Sequence, residues 1–243
     1  MRWIYISPHF DDAILSCGGL IDYQTSIGLS VEVWTVTSAV PVLEGSSDLI
    51  KQIQEQWNVT SPAEAVIERQ KEDNLALGLV NATSSHLNYL DCIYRASMEG
   101  DFYYQSIFSD IHPEEANLPL QISNLINKHI QDEDILVFPL SVGNHIDHEI
   151  VNEAAKFIPN KKLFYIDIPY FFKDEKILET IKNNYIEKNI LFPPNHIINW
   201  VKGILLYKSQ VSSLFLNEKD IDEKITRFYS RFNGLSLWEE CTT

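Results

Sequence analysis

Two short segments concentrate the side chains that do metal and proton chemistry. The first, PHFDD (Pro8–Asp12), carries His9, Asp11 and Asp12; the second, VGNHIDH (Val142–His148), carries His145, Asp147 and His148. Imidazole nitrogen and carboxylate oxygen are donors that a divalent cation such as zinc accepts, and a catalytic site keeps a further position for water. Three protein donors suffice, so six candidates leave residues for acid–base and orienting work. The Asp11–Asp12 pair offers one ligand and one general base side by side. A histidine in such a site needs an acceptor that fixes its tautomer, and Asp147 is expected to serve His145 in that way. The competing reading is purely local. Asp11 or Asp12 alone suits the N-cap of a following helix, and His145 or His148 alone suits a cap or the surface. Two such clusters, each following a buried strand at the same sheet edge, weigh against it.

The elements that must hold these loops read as alternating strands and helices. Trp3–Ser7 is apolar almost throughout, the pattern of a strand buried on both faces of a parallel sheet. A helix is expected from about Ala13 to Ile27, with Gly28 at its C-terminal cap, followed by a strand over Val31–Val36. Residues 39–61 show little periodicity and read as a long loop. Pro62 fits the first turn of a helix running to about Leu77. A third strand is expected over Leu87–Leu90, an irregular stretch over 92–115, and a helix over Leu118–Ile130. Asp134–Pro139 is a fourth strand, immediately ahead of the second cluster. A helix follows from near His148 to Phe157, then a fifth strand over Lys162–Ile166. Residues 167–198 are rich in aromatics and proline, and two helices, 199–214 and 219–232, close the chain. This alternation predicts one doubly wound α/β domain over 1–243, with ligands at the carboxyl ends of its strands.

Composition narrows the partners. The chain has 243 residues, 45% hydrophobic, and a formal net charge of −15. That charge repels phosphate backbones, so no nucleic-acid partner is expected. Cys17, Cys92 and Cys241 are too few and too scattered for a disulfide framework, and fit a reducing compartment. No apolar run reaches the ~20 residues of a membrane span, and the N-terminus lacks a secretory signal, so the expected location is cytoplasmic. A homo-oligomer is left open.

Further along, the motifs resemble a known family. PHFDDAILSCGG resembles the HPDDExxxxGG segment of the PIG-L/LmbE-like N-deacetylases, and VGNHIDH resembles their HxDH segment. Arg69–Glu72 resembles their RxxE helix, Asp91 follows a strand as their aspartate does, and Ile166–Tyr170 and Tyr207–Gln210 are similar to their DxPY and YxSQ segments. Phe10 and Ala13 replace the family's proline and glutamate. The resemblance implies a single Rossmann-like three-layer domain with a mostly parallel sheet. It implies that His9, Asp12 and His148 bind the metal, usually zinc, with another divalent ion such as Fe²⁺ as the alternative. It implies that Asp11 is the general base and that His145, held by Asp147 and charged as an imidazolium, stabilises the oxyanion or protonates the leaving amine. Arg69 matches a position that touches substrate.

The implied reaction is zinc-dependent removal of an N-acetyl group from a GlcNAc-type amino-sugar conjugate, releasing acetate. Two alternatives use the same residues: a non-haem Fe(II) oxygenase with a two-His-one-carboxylate site, and a non-catalytic metal-binding module. Tyr170, Phe171, Trp200 and Tyr207 are candidates for the floor of a sugar site or for core packing. Gly18–Gly19 suggests close packing of the first helix on the sheet. The segments 39–61, 92–115 and 167–198 are expected to shape the pocket.

Overall fold

Strands that read as continuous apolar runs form the centre of a seven-stranded sheet, ordered β3-β2-β1-β4-β5-β7-β6. This computed structural model describes residues 1–42 and 45–241. The parallel strands are β1 (Trp3–Ser7), β2 (Val31–Thr35), β3 (Thr83–His86), β4 (Ile135–Pro139) and β5 (Lys162–Tyr165). Ile4, Ile6, Val33, Leu136, Val137 and Phe138 are fully buried, as strands covered on both faces require. Beyond β5 the sheet turns antiparallel with β7 (Gly234–Glu240) and the edge strand β6 (Tyr185–Leu191).

Helices cover both faces, giving the expected three-layer α/β domain. On one side α1 (Asp12–Ser26) and α3 (Pro62–Leu79) pack on α7 (His196–Leu205), which also contacts α9 (Glu218–Phe232). On the other, α4 (Leu118–Asn127) packs on α5 (Ile146–Ala154). Gly28 closes α1 with φ +85°, and Pro62 opens α3 behind the capping Ser61. Gly18 and Gly19 pack against a helix rather than the sheet. A Cβ on either would stand 2.6 or 2.7 Å from the Trp200 indole of α7. That indole donates to the Ile14 carbonyl oxygen at 2.8 Å, fixing α7 to α1.

The structure revises five expectations about elements, beginning at the chain's end, where β7 follows α9 although two helices were expected to close the chain. The third strand is Thr83–His86, not Leu87–Leu90. The latter still follows the end of β2 (Leu87 N–H to Thr35 O, 2.9 Å; Tyr89 N–H to Val36 O, 3.1 Å), but Asn88 at φ 60° breaks the ladder. Within 39–61, α2 (Asp48–Trp57) forms behind a capping Ser47; residues 43 and 44 of that segment lie outside the described residues. The helix over 199–214 is two, α7 and α8 (Lys208–Leu214), because Tyr207 turns inward to give its hydroxyl to Asp73 at 2.8 Å. Within 167–198, α6 (Ile177–Asn184) and β6 are regular.

The strand order reverses between β1 and β4, which are neighbours. Strands β2 and β3 run outward on one side and β5 on the other. Both His/Asp clusters leave the carboxyl ends of this central pair, at the switch point where open α/β sheets bind ligands.

Candidate metal centre

The two clusters meet. His9, Asp12 and His148 place one donor atom each within 4.8 Å of the others. His9 Nδ1 lies 3.1 Å from Asp12 Oδ2, and His148 Nε2 lies 3.3 Å from Asp12 Oδ1. Donors bound at ~2.1 Å in a tetrahedral site sit about 3.4 Å apart, so these spacings suit one cation. His148 Nε2 is buried and makes no hydrogen bond among the described residues, as a donor aimed at a cation would be. The chemistry of the set, two imidazoles and one carboxylate, fits zinc or Fe²⁺.

Each imidazole is held from behind. His148 Nδ1 donates to Asp167 Oδ1 at 2.6 Å, and His9 Nε2 donates to Asp147 Oδ2 at 3.1 Å. Carboxylate partners of this kind fix the tautomer so that the other nitrogen carries a lone pair toward the cation. Burial disfavours a proton on both rings, but Asp12 and Asp147 at His9, and Asp12 and Asp167 at His148, outweigh it; His148 is raised to about 9. Burial would raise the Asp12 carboxyl, yet His148 and His9 hold it well below the usual carboxylate range. The field that favours protons on these rings equally favours a divalent cation between them.

Asp147 corrects one expectation. Its carboxylate does not hold His145; it is taken up by His9, by the Cys92 N–H at 2.9 Å and by the Arg95 guanidinium. What reaches His145 is the Asp147 backbone N–H, which donates to Nδ1 at 3.2 Å. His145 is thus the N-cap of α5, and Nε2 carries its proton. Burial, with His9 and His148 nearby, pushes its pKa well below the usual histidine value. Nδ1 accepts a hydrogen bond and burial disfavours charge on the ring, and both run against the expected imidazolium.

Asp11 occupies the N-cap position of α1 but caps nothing with its side chain. Oδ1 accepts from Arg69 Nη2 at 3.2 Å instead. Burial raises the Asp11 carboxyl, Arg69 opposes that, and Asp12 adds to it, leaving it above the usual value. Arg69 stands on α3, stacks over Trp57 with 4.9 Å to the ring centroid, and lies 3.8 Å from Asp91. Its neighbour Glu72 accepts from the Ser209 N–H and hydroxyl at 2.9 and 2.6 Å, so α3 also fixes the Tyr207–Gln210 segment.

A cavity of about 210 Å³ opens over these groups, lined by His9, Asp11, Asp12, Arg69, Asp91 and His145. All three segments expected to shape it contribute: Trp57 from α2, Phe108 from the irregular stretch, and Tyr170 from the aromatic one. Of the four aromatic candidates Tyr170 alone lines the cavity, while Phe171, Trp200 and Tyr207 are core. Phe10 and Ala13 are also buried in the core, and the Phe10 ring packs under the Arg69 guanidinium, 5.9 Å to its centroid.

Two supporting residues had no role from sequence. Asp167 was visible only within a motif. Arg95, in the stretch where the resemblance is weakest, bridges Asp147 and Glu115 in a buried ion-pair chain, with 2.6 Å from its Nε to Glu115. A lone buried arginine between two acidic partners carries no spacing signal.

A sequence model named PIG-L, described as GlcNAc-PI de-N-acetylase, matches residues 4–158. The chain is 25% identical over 238 residues to a 2'-N-acetylparomamine deacetylase of Niallia circulans, covering 90% of this chain and 84% of that protein. Among solved structures, the zinc inhibited form of teicoplanin deacetylase Orf2 superposes with a TM-score of 0.80 at 22% identity, covering 100% of this chain and 99% of that one. The N,N'-diacetylchitobiose deacetylase of Pyrococcus horikoshii gives a TM-score of 0.57 at 17% identity, covering 98% and 82%. Likeness at those identities speaks to fold alone.

Proposed function

We propose that this chain, which belongs to the PIG-L (GlcNAc-PI de-N-acetylase) family, is a zinc-dependent hydrolase that removes an N-acetyl group from an amino-sugar conjugate. The observation that carries the reading is the buried donor set of His9, Asp12 and His148, with His148 Nε2 making no hydrogen bond among the described residues and the Asp11 carboxylate at the adjoining cavity. The deacetylase activity named for the Niallia circulans relative supports the reaction class.

A divalent cation held by His9, Asp12 and His148 would supply Lewis acidity, acidifying water and polarising a carbonyl. The chain's own residues do the rest. Asp11, raised by burial yet steadied by Arg69, is suited to take a proton from the attacking water and return it to the departing nitrogen. His145 lines the cavity with Nδ1 already engaged, which leaves Nε2–H to donate to the oxygen that gains charge in the tetrahedral state. It serves there as a neutral hydrogen-bond donor. Trp57 and Tyr170 offer apolar faces to a sugar ring. Arg69 is tied to Asp11, so its service to the base comes before any contact with substrate.

Neither the oxygenase nor the non-catalytic reading gains support from the family match, and the buried base beside the donor set favours hydrolysis. The deciding experiment is acetate release from N-acetylated amino sugars by protein loaded with zinc or Fe²⁺ under anaerobic conditions. Turnover under those conditions supports the proposal. Turnover that requires oxygen, or none from any N-acyl sugar, overturns it.

A further inference from the structure

The Arg69 guanidinium is a buried fork of N–H donors with few acceptors. Among the described residues its only hydrogen bond is from Nη2 to Asp11 Oδ1 at 3.2 Å, and Nε is buried without a partner. A buried cation so sparsely bonded needs another source of hold. Two aromatic rings supply it. The central carbon Cζ lies 4.9 Å from the Trp57 ring centroid and 5.9 Å from that of Phe10, both within the ~6 Å over which a ring face attracts a cation. Trp57 comes from the cavity wall, at the end of α2, and Phe10 from the core, in the loop between β1 and α1.

Phe10 is itself fixed. Its ring meets the His86 ring edge-on, with centroids 5.4 Å apart and 81° between the planes, and His86 Nδ1 lies 2.9 Å from the Gln70 amide nitrogen. Gln70 follows Arg69 on α3, and His86 ends β3. The contacts therefore close a circuit that leaves α3 at Gln70 and returns to it at Arg69 through the Phe10 ring. The proline that the family carries at this position has no π face, so the support comes from this chain's own departure.

What the rings decide is direction. Arg69 stands between two carboxylates, Asp11 at 3.2 Å from Nη2 and Asp91 at 3.8 Å from Nη1. Coulomb attraction falls slowly with distance, so charge alone distinguishes the two weakly. A planar cation stacked on ring faces keeps one orientation, and here that orientation gives the hydrogen bond to Asp11.

We propose that Phe10 is a positioning residue for the reaction: together with Trp57 it holds the Arg69 guanidinium so that its hydrogen bond goes to Asp11 rather than to Asp91. This rests on the amide-hydrolysis reading above, in which Asp11 handles the proton. Phe10 is 1% exposed and does not line the cavity, so it acts through Arg69 and leaves substrate binding alone.

The test is Phe10→Leu in zinc-loaded protein, read as acetate release from N-acetylglucosamine and N,N'-diacetylchitobiose. Leucine keeps the position apolar and removes the ring face. The expected result is a kcat lower by about tenfold, the order of a lost cation–ring contact, with KM within about twofold and zinc content unchanged. In an Arg69→Gln background the same substitution should change kcat by less than about twofold, because its partner is gone. A role in packing alone lowers the urea midpoint and shows no such coupling. Unchanged kcat in Phe10→Leu, a loss equally large in the Arg69→Gln background, or a loss of zinc overturns the proposal. If Phe10→Leu does not fold, Trp57→Leu replaces it and is judged on kcat; no loss, or a loss that persists beside Arg69→Gln, overturns the proposal. If no N-acetylated amino sugar is hydrolysed, the reaction reading fails by itself, and the hold on Arg69 is read from the ¹H–¹⁵N spectrum. The Arg69 Nε–H resonance, identified by its absence in Arg69→Gln, should move in Phe10→Leu; a resonance that stays in place overturns the hold.

Discussion

At the scale of single residues, the site is a set of carboxylates with divided duties. Asp12 faces the two imidazoles, Asp147 and Asp167 stand behind them, and Asp11, paired with Arg69, is the base of the proposed reaction. Asp11→Asn should retain zinc and lose turnover, while His148→Ala should lose both; metal content by elemental analysis beside acetate release separates them. An active Asp11→Asn protein would remove Asp11 as the base. Arg69 lowers a carboxyl that burial raises. Arg69→Gln should therefore move the acid limb of the kcat/KM profile to higher pH, since Asp11 must be ionised to act and loses the cation that favours its ionised form. A limb that stays in place or moves down counts against the pairing. Arg95 is the further case. With side chains only 8% and 1% exposed, the Arg95–Asp147 pair is buried, and cutting one partner of such a pair costs roughly 3–5 kcal/mol. Arg95→Met should lower urea stability by that order and weaken zinc binding about 10- to 100-fold through His9. Native zinc affinity in a folded Arg95→Met protein would show that His9 needs no such support.

At the scale of elements, what the sequence made legible followed from burial. Central strands β1, β2, β4 and β5 are apolar on both faces, so they stand out, and each cluster could be placed at a strand end. Strand β3 (TSSH) is polar and owes its pairing to β2, so the apolar Leu87–Leu90 was the stronger signal, although Asn88 breaks it. Strand β6 is an exposed antiparallel edge carrying Glu187 and Lys188, with none of the parallel-core pattern. Helix α2 buries only Ile50 and hides among polar residues. In the site, donor types and spacing were readable, but which ring Asp147 holds depends on a fold that brings Cys92 and Arg95 to it. The α1–α7 contact offers a direct test. Gly18→Ala gains up to ~1 kcal/mol of helix propensity but drives a methyl into an indole fixed by hydrogen bonds. Overpacking of this kind costs about 1–3 kcal/mol, so the urea midpoint should fall. A midpoint that rises would mean the helices can separate freely.

At the scale of the whole molecule, one sheet edge gathers Asp11, Asp12, Asp91, Asp147 and Asp167 in a chain whose formal charge is already −15. A cation that binds the folded state alone adds stability that grows with its concentration, about 2.7 kcal/mol at a hundredfold excess over its dissociation constant. Zinc should therefore raise the melting temperature of the native chain and leave that of His148→Ala unmoved. Calorimetry with and without a chelator reads this, and equal shifts in both proteins would place the ion elsewhere.

The neighbouring positions of β1 and β4 in the sheet have a consequence in time. His9 and its support Asp147 are 138 residues apart in the chain. At ~5–20 residues per second, a ribosome delivers the second half of the donor set roughly 7 to 28 seconds after the first. Between those two points the nascent chain carries only half a binding site. The metal cannot template the early sheet; it can only seal one that has already closed from β1 to β4.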